Sequence, residues 1–204
     1  MSVTPVTMEG RVVRLEPLSM DHLVPLCEVG LDPELWRMGL SVIGSQDDMT
    51  SYIATALQWQ AEGTALPFVT IERSSGTVVG STRFANIDRG HRRVEIGWTW
   101  IARPWQRTPV NTEAKYLMLM HAFEALGCIR VELKTDSLNE KSRNAMLRIG
   151  AKEEGTLRNH MITQGGRIRH TVYFSITNDE WPGVKRSLEE KLARPFTRLA
   201  YVKS

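Results

Sequence analysis

The 204-residue chain has only two cysteines, Cys27 and Cys128, too few for a disulfide framework, and neither lies near histidines at metal-ligand spacing. Buried, reduced thiols are therefore expected. No apolar run approaches the ~20 residues a membrane-spanning helix needs, and the opening MSVTPVTMEG lacks the basic segment and apolar core of an export signal. A cytoplasmic location is the expectation. No internal repeat or low-complexity tract is visible. The five histidines, His22, His91, His121, His160 and His170, form neither a His-x-x-x-His pair nor a His/Cys cluster, so no metal is expected. His121 falls in an apolar stretch, where a core histidine is the simpler reading.

A large charge surplus is also missing. The net charge is +3 and the pI about 9.0, with basic residues scattered apart from Arg89 to Arg93 (RGHRR) and Arg167 to His170 (RIRH). No aromatics interleave with these groups as single-strand binding requires, so nucleic acid is not an expected partner, and an anionic small ligand accounts for the surplus. What is present is ordinary globular composition, 42% hydrophobic and 24% charged, with length enough for one sizeable core.

The chain is organised around Glu95 to Ala125. A strand-like run (VEIGWTWI) leads through a short loop (ARPWQRTPV) into a long helix-like run in which Asn111 reads as N-cap, Glu113 lies in the first turn and Gly127 ends the helix. That helix is apolar nearly all round, which places it in a domain interior. A strand feeding a helix through a tight loop gathers free N–H groups and the positive helix end at one spot, which suits a phosphate.

In order along the chain, Arg11 to Pro17 reads as a strand, Ser19 caps a helix through about Val29, and Ser45 caps a second from about Asp47 to Glu62. Between them, Asp32 to Gly44 is a loop carrying Trp36, Met38, Leu40, Val42 and Ile43, either packed or serving as the apolar wall of a substrate site. Ala65 to Glu72 and Val78 to Ile87 read as a hairpin around Ser74 to Thr77, and the Glu95 strand makes a third antiparallel member. After the long helix come a strand from Arg130 to Thr135, a short helix from Asn139 to Ile149, strands Ala151 to Asn159 and Ile168 to Ile176, and a helix from Asp179 to Leu192 with Pro182 in its first turn.

This order, with Gln106-Arg107-Thr108-Pro109-Val110-Asn111 at the strand-to-helix loop and Asn139-Glu140-Lys141-Ser142 before Ile149-Gly150-Ala151, resembles the GNAT superfamily of N-acyltransferases. The similarity runs from about Met8 to Trp181 and is to the branch of the RimJ and RimL ribosomal-protein N-terminal acetyltransferases. The resemblance implies a mixed α+β fold, with a mostly antiparallel sheet splayed at the cofactor site and flanked by helices. It implies one acetyltransferase domain over 8–181, with 182–204 as its C-terminal helix and tail, and a homodimer is compatible with it.

The activity so implied is transfer of the acetyl group of acetyl-CoA to a primary amine, without a metal. Of the superfamily's Gln/Arg-x-x-Gly-x-Gly/Ala cradle only Gln106 matches. Pro109 removes a backbone donor, Asn111 adds a side chain, and Arg107 offers a charged contact instead. Thr108, Val110 and Thr112 complete the cradle. Trp98, Trp100 and Ile101 would hold the pantetheine through their strand, and Asn139 would hydrogen-bond it. Glu95 resembles the proton acceptor of the branch's Glu-Ile-Gly-aromatic motif, although a structural carboxylate paired with Arg93 or Arg83 fits the same position. The tyrosine that many members place seven residues after the asparagine is Met146 here, which leaves Ser142 as donor to the thiolate. Trp36, Met38 and Glu95 would meet the acceptor amine. A CoA-binding protein that has lost catalysis is the alternative, resting on Pro109 and Met146.

Overall fold

The computed structural model describes residues 1 and 3–196. The sequence pattern is realised as eight strands: β1 (Met8–Glu9), β2 (Val13–Pro17), β3 (Leu66–Glu72), β4 (Thr77–Asp88), β5 (Arg93–Ile101), β6 (Arg130–Asp136), β7 (Lys152–Ile162) and β8 (Ile168–Thr177). They form one sheet in the order β1-β2-β3-β4-β5-β6-β8-β7. Every neighbouring pair is antiparallel except β5 and β6. That parallel pair is joined by a helical crossover, as parallel strands require. This is the open, mixed α/β sheet expected from the element order.

Five α-helices flank the sheet: α1 (Leu23–Gly30), α2 (Gln46–Ala61), α3 (Pro109–Met120), α4 (Glu140–Arg148) and α5 (Trp181–Ala193). Ser19 caps a 3-10 turn, Met20–His22, that runs on into α1, and Ser45 caps α2 by accepting the Asp48 N–H. One face of the sheet packs on α3 and α5 in a core that includes Phe68, Phe84, Ile96, Leu117, Met118, Leu119, Phe174 and Leu188. The other face is covered only over β3, β4 and the end of β5, where α1 and α2 bury Leu26, Met49, Ile53, Val69 and Trp100. Over β5 to β8 that second face carries the charged side chains of β6 together with the rings of Trp98 and Tyr173.

Two expectations need correction. The helix opened by Asn111 begins earlier: Thr108 is its N-cap, its hydroxyl accepting the Val110 N–H at 3.3 Å, and Pro109 takes the first helical position, where its fixed φ and missing N–H cost nothing. Asn111 is thus inside the helix. Glu113 consequently lies beyond the first turn, buried, and its carboxylate accepts the N–H groups of Arg11, Val12 and Val13 at 3.0, 2.6 and 2.7 Å. The helix continues as a π-helical turn, His121–Ala125, and Gly127 follows with φ +66°. At the C-terminal end, α5 packs on α3 through Trp181, stacked on Phe123 at 5.3 Å, and through Tyr116, whose hydroxyl donates to Glu189 at 2.9 Å. Part of the tail, 197–204, lies outside the described residues.

Candidate active site

The parallel seam is short. Only Arg93 to Glu95 of β5 pair with Arg130 to Glu132 of β6, after which the two strands part. Beyond that point β5 is held on one side only, by β4, and there irregularly: Arg83 pairs with Gly97 and Ser81 with Trp100, leaving Trp98 at φ 49° in a bulge. From Gly97 to Ile101 the β6-facing edge of β5 therefore has no partner strand, and, apart from the Ile101 carbonyl, which Gln106 takes, and the Trp98 carbonyl, 3.4 Å from the Tyr52 hydroxyl, its backbone is able to pair with an extended amide-bearing chain. Trp98, Trp100 and Ile101 all lie on it.

At the mouth of the seam the loop before α3 is firmly tied. The Gln106 side chain donates to the Ile101 carbonyl at 2.9 Å, and the Thr108 hydroxyl donates to that of Trp105 at 2.6 Å. Arg107 is exposed, at φ 60°, and its N–H donates to no acceptor among the described residues. A left-handed residue beside a helix N-terminus turns successive N–H groups outward, as anion-binding loops do. With Pro109 silent and the Val110 N–H taken by Thr108, the donors left for an anion are the N–H groups of Arg107, Thr108 and Asn111, with the Arg107 guanidinium and the partly exposed Asn111 and Thr112 alongside. A coenzyme A pyrophosphate fits this loop, with fewer backbone donors than a glycine-rich one would give. Across the seam, Asn139 caps α4, its Oδ1 accepting the Ser142 N–H at 3.1 Å. Only its amide N–H groups are left for a ligand, and both residues are partly exposed.

Glu95 is the last residue of β5 paired with β6, and it is 2% exposed. Neither Arg93 nor Arg83 pairs with it. Its Oε2 instead accepts from Lys134 Nζ at 2.9 Å and Asn86 Nδ2 at 2.7 Å. Oε1 points toward Gly97, where a Cβ would come within 2.7 Å of it, so glycine is required there for this carboxylate orientation. Lys134 Nζ lies 5.8 Å from the Trp98 ring centre and 5.9 Å from that of Tyr173. Behind Trp98, the Arg83 guanidinium sits among Tyr52, Trp59 and Trp98 at 4.9, 5.4 and 5.2 Å from their centres.

Asn86, Lys134, Tyr173 and Arg169 share this face and were missed from sequence, while Arg83, expected only as a partner for Glu95, lies there among aromatic rings instead. The alternation of β6 (RVELKTD) held a signal, since Arg130, Glu132, Lys134 and Asp136 must share the side opposite Val131 and Leu133.

The loop from Asp32 to Gly44 is packed in part. Trp36 is packed, with Nε1 donating to the Gly30 carbonyl at 2.8 Å and its ring against Tyr52 and Trp100; Ile43 is buried with it. Met38 and Leu40 are only half-buried. The loop also meets the β7–β8 turn, where Gln164 Oε1 accepts the Val42 N–H at 2.7 Å and the Gln164 N–H reaches the Leu40 carbonyl at 3.1 Å. Among the described residues no group of His, Cys, Asp or Glu could hold a metal ion, and no helix is long and apolar enough to cross a membrane. Burial pushes the Cys128 thiol up to about 11, which leaves it inert at neutral pH.

An antiparallel sheet opened at one parallel seam, with a helix N-terminus at its mouth, is the GNAT fold. The chain belongs to the acetyltransferase (GNAT) domain family, whose pattern matches residues 13–152. It is 36% identical over 111 residues to the Bacillus subtilis protein described as "Putative ribosomal N-acetyltransferase YdaF", a stretch covering 54% of this chain and 59% of that relative. A solved GCN5-related N-acetyltransferase from Brucella melitensis superposes with a TM-score of 0.87 at 30% identity, over 94% of this chain and 87% of that one. Mycobacterium smegmatis RimJ, in a complex with CoA-disulfide, superposes with a TM-score of 0.79 at 25% identity, over 92% and 95%.

Proposed function

We propose that the chain transfers the acetyl group of acetyl-CoA to a primary amine, either the α-amine of a peptide N-terminus, as the ribosomal acetyltransferases among its relatives suggest, or that of an amino-acid-like small molecule in the cytoplasm. The observation that carries this reading is the seam: free β5 backbone begins where Glu95, a buried carboxylate with one oxygen uncommitted, marks the last β5–β6 pair.

The free edge at Trp98, Trp100 and Ile101 would hold the pantetheine. The loop of Gln106, Arg107, Thr108, Val110, Asn111 and Thr112 would hold the pyrophosphate, and Asn139 and Ser142 would close the opposite side. Glu95 Oε1 accepts the proton of the attacking amine, directly or through one water, while Lys134 and Asn86 fix the carboxylate through Oε2. As the C–N bond forms and the C–S bond breaks, the departing thiolate needs a proton, for which the Ser142 hydroxyl is the candidate donor and the Tyr173 hydroxyl a second. Met38 lines the acceptor's approach, and Trp36 supports that wall from the core.

The test is release of free CoA thiol dependent on an added amine. Glu95→Gln keeps the shape of the side chain and should lower turnover by about 10²–10⁴-fold while CoA still binds. CoA binding with no thiol release for any amine would refute the activity.

A further inference from the structure

The charges on the open face are arranged in two unlike groups. Toward the start of β5 and β6 every arginine is paired: Arg93 reaches Asp88 at 3.2 Å and Glu132 at 3.1 Å, and Arg130 reaches Glu132 at 2.9 Å and Glu154 at 2.5 Å. Toward the far end the pairing fails. Asp136 is the acid there, and it is bonded to Arg167. Arg169, on the neighbouring strand and only 5% exposed, donates from Nε to Thr171 Oγ1 at 3.2 Å and has no acid within ion-pair distance among the described residues.

Arg169 is thus buried along most of its length, while its two terminal NH2 groups, which make no hydrogen bond to the described residues and are not among the fully buried unpaired groups, are left to the water of the open face. The arrangement calls for an explanation, because a largely buried cation without a counter-ion is costly. Arg83 poses the same question, since its Nε and Nη2 have no acceptor among the described residues, and its three aromatic rings answer it. Arg169 has no such rings. It does share its surroundings with Asp136, Arg167, Glu95 and Tyr173, the two carboxylates favouring its charge and Arg167 opposing it. It also stands one strand register from the β7–β8 turn that meets the Met38–Leu40 loop, since Arg169 pairs with Met161 and Ile168 with Ile162.

We infer that Arg169 is the anchor for a carboxylate on the acceptor, so that the groove takes an amine and a carboxylate on one small framework, with the amine toward Glu95. This rests on the acetyltransferase reading above. Planar, forked donors match a carboxylate better than any other side chain does, and a ligand carboxylate would supply the counter-ion that the chain itself withholds. The carboxylate has two sources: the α-carboxylate of a free amino acid, or an acidic side chain at the start of a peptide.

The experiment compares thiol release for the standard amino acids, each against its own carboxamide, and for hexapeptides with Asp or Asn at the second position. The α-amine of a carboxamide is the more acidic and so the more available as neutral amine, so intrinsic reactivity favours the amide and a preference for the acid has to come from the protein. Expected is kcat/KM at least tenfold higher for the carboxylate member of one series, which identifies the source. Arg169→Gln should remove about 10–100-fold from that member, leave its neutral twin unchanged and spare the KM for acetyl-CoA. Arg169→Lys, which keeps the charge, should retain part of the preference, and it serves if the glutamine variant does not fold.

Equal rates for both members in the parent protein, or equal losses on both in Arg169→Gln, would overturn the anchor while leaving acetyl transfer intact. If no amine releases thiol, calorimetric titration of the amino acids into the CoA-bound protein decides. Binding that Arg169→Gln abolishes supports the anchor, and no binding by any carboxylate overturns it.

Discussion

The two faces of the sheet both bury charge, and they do so to different ends. On the α3 face, among Leu117, Met118 and Leu119, Glu113 receives three backbone N–H groups, and Lys115 donates to Thr99 Oγ1 at 2.6 Å, which in turn bonds Thr82 Oγ1 at 2.7 Å. This polarity is spent on partners within the chain, although Thr99 itself is exposed. On the open face, Glu95 keeps an oxygen free and Arg169 keeps donors free beside a surface no helix covers. Buried charge alone therefore does not mark a site; buried charge with unused capacity does. Substitutions on the α3 face should move stability and leave the chemistry of each folded molecule alone.

The largest such effect is expected at Glu113. Glu113→Ala strands three N–H groups at the β1–β2 turn and should cost about 3–5 kcal/mol in urea unfolding, with turnover per folded molecule within about twofold of the parent. A loss below about 1 kcal/mol would show that water replaces the carboxylate without penalty, and a large fall in turnover would break the division between the faces.

Lys115 offers a pH-dependent version. Burial lowers its pKa from 10.5 to about 7, so the unfolded chain binds the extra proton between about pH 7 and 10.5 and stability rises with pH through that window. Below pH 7 both states carry the proton and the whole penalty remains. Lys115→Met should be more stable than the parent at pH 6, by an amount on the order of a few kcal/mol, with the gain shrinking as pH approaches 10.5. Parallel stability curves for the two proteins would mean that the amine is solvated after all.

The smallest effect sits where the faces meet, at the mouth of the seam. Arg107 is exposed, so solvent weakens any contact it makes, and Arg107→Ala should raise the KM for acetyl-CoA only about tenfold, leaving that for the amine and the unfolding midpoint unchanged. An unaltered acetyl-CoA dependence would move the pyrophosphate elsewhere.

Much of this was legible from local pattern. Strand alternation, the Ser74 to Thr77 turn and the Ser45 cap identify elements within a residue or two, because each depends on neighbours in sequence. The start of α3 was misplaced because Asn111 and Thr108 are both good caps, and the choice falls to Pro109, whose ring fits a first helical turn. Glu95 was found as a candidate from its strand, but its partners were not. Lys134 lies 39 residues on and Asn86 reaches it from a left-handed position at φ 47°, and nothing local announces either. Arg169 was hidden within a basic group that reads as surface charge, though the alternation of β8 turns it away from Ile168 and His170.

The Glu113 clamp has a consequence in time. Gly10 to Val13 leave the ribosome about 100 residues before the carboxylate that fixes their turn, which at 5–20 residues per second is a wait of about 5–20 s. Only in the later part of that interval, once Leu66–Glu72 has been made, does the first hairpin have a partner in β3, and until Glu113 arrives it has no anchor, with a long loop to be closed. Closing it unites the N-terminal edge of the sheet with the helix that carries the mouth of the seam. The last step in securing the turn thus also ties the oldest strands of the chain to α3, whose first residues stand at the mouth of the seam.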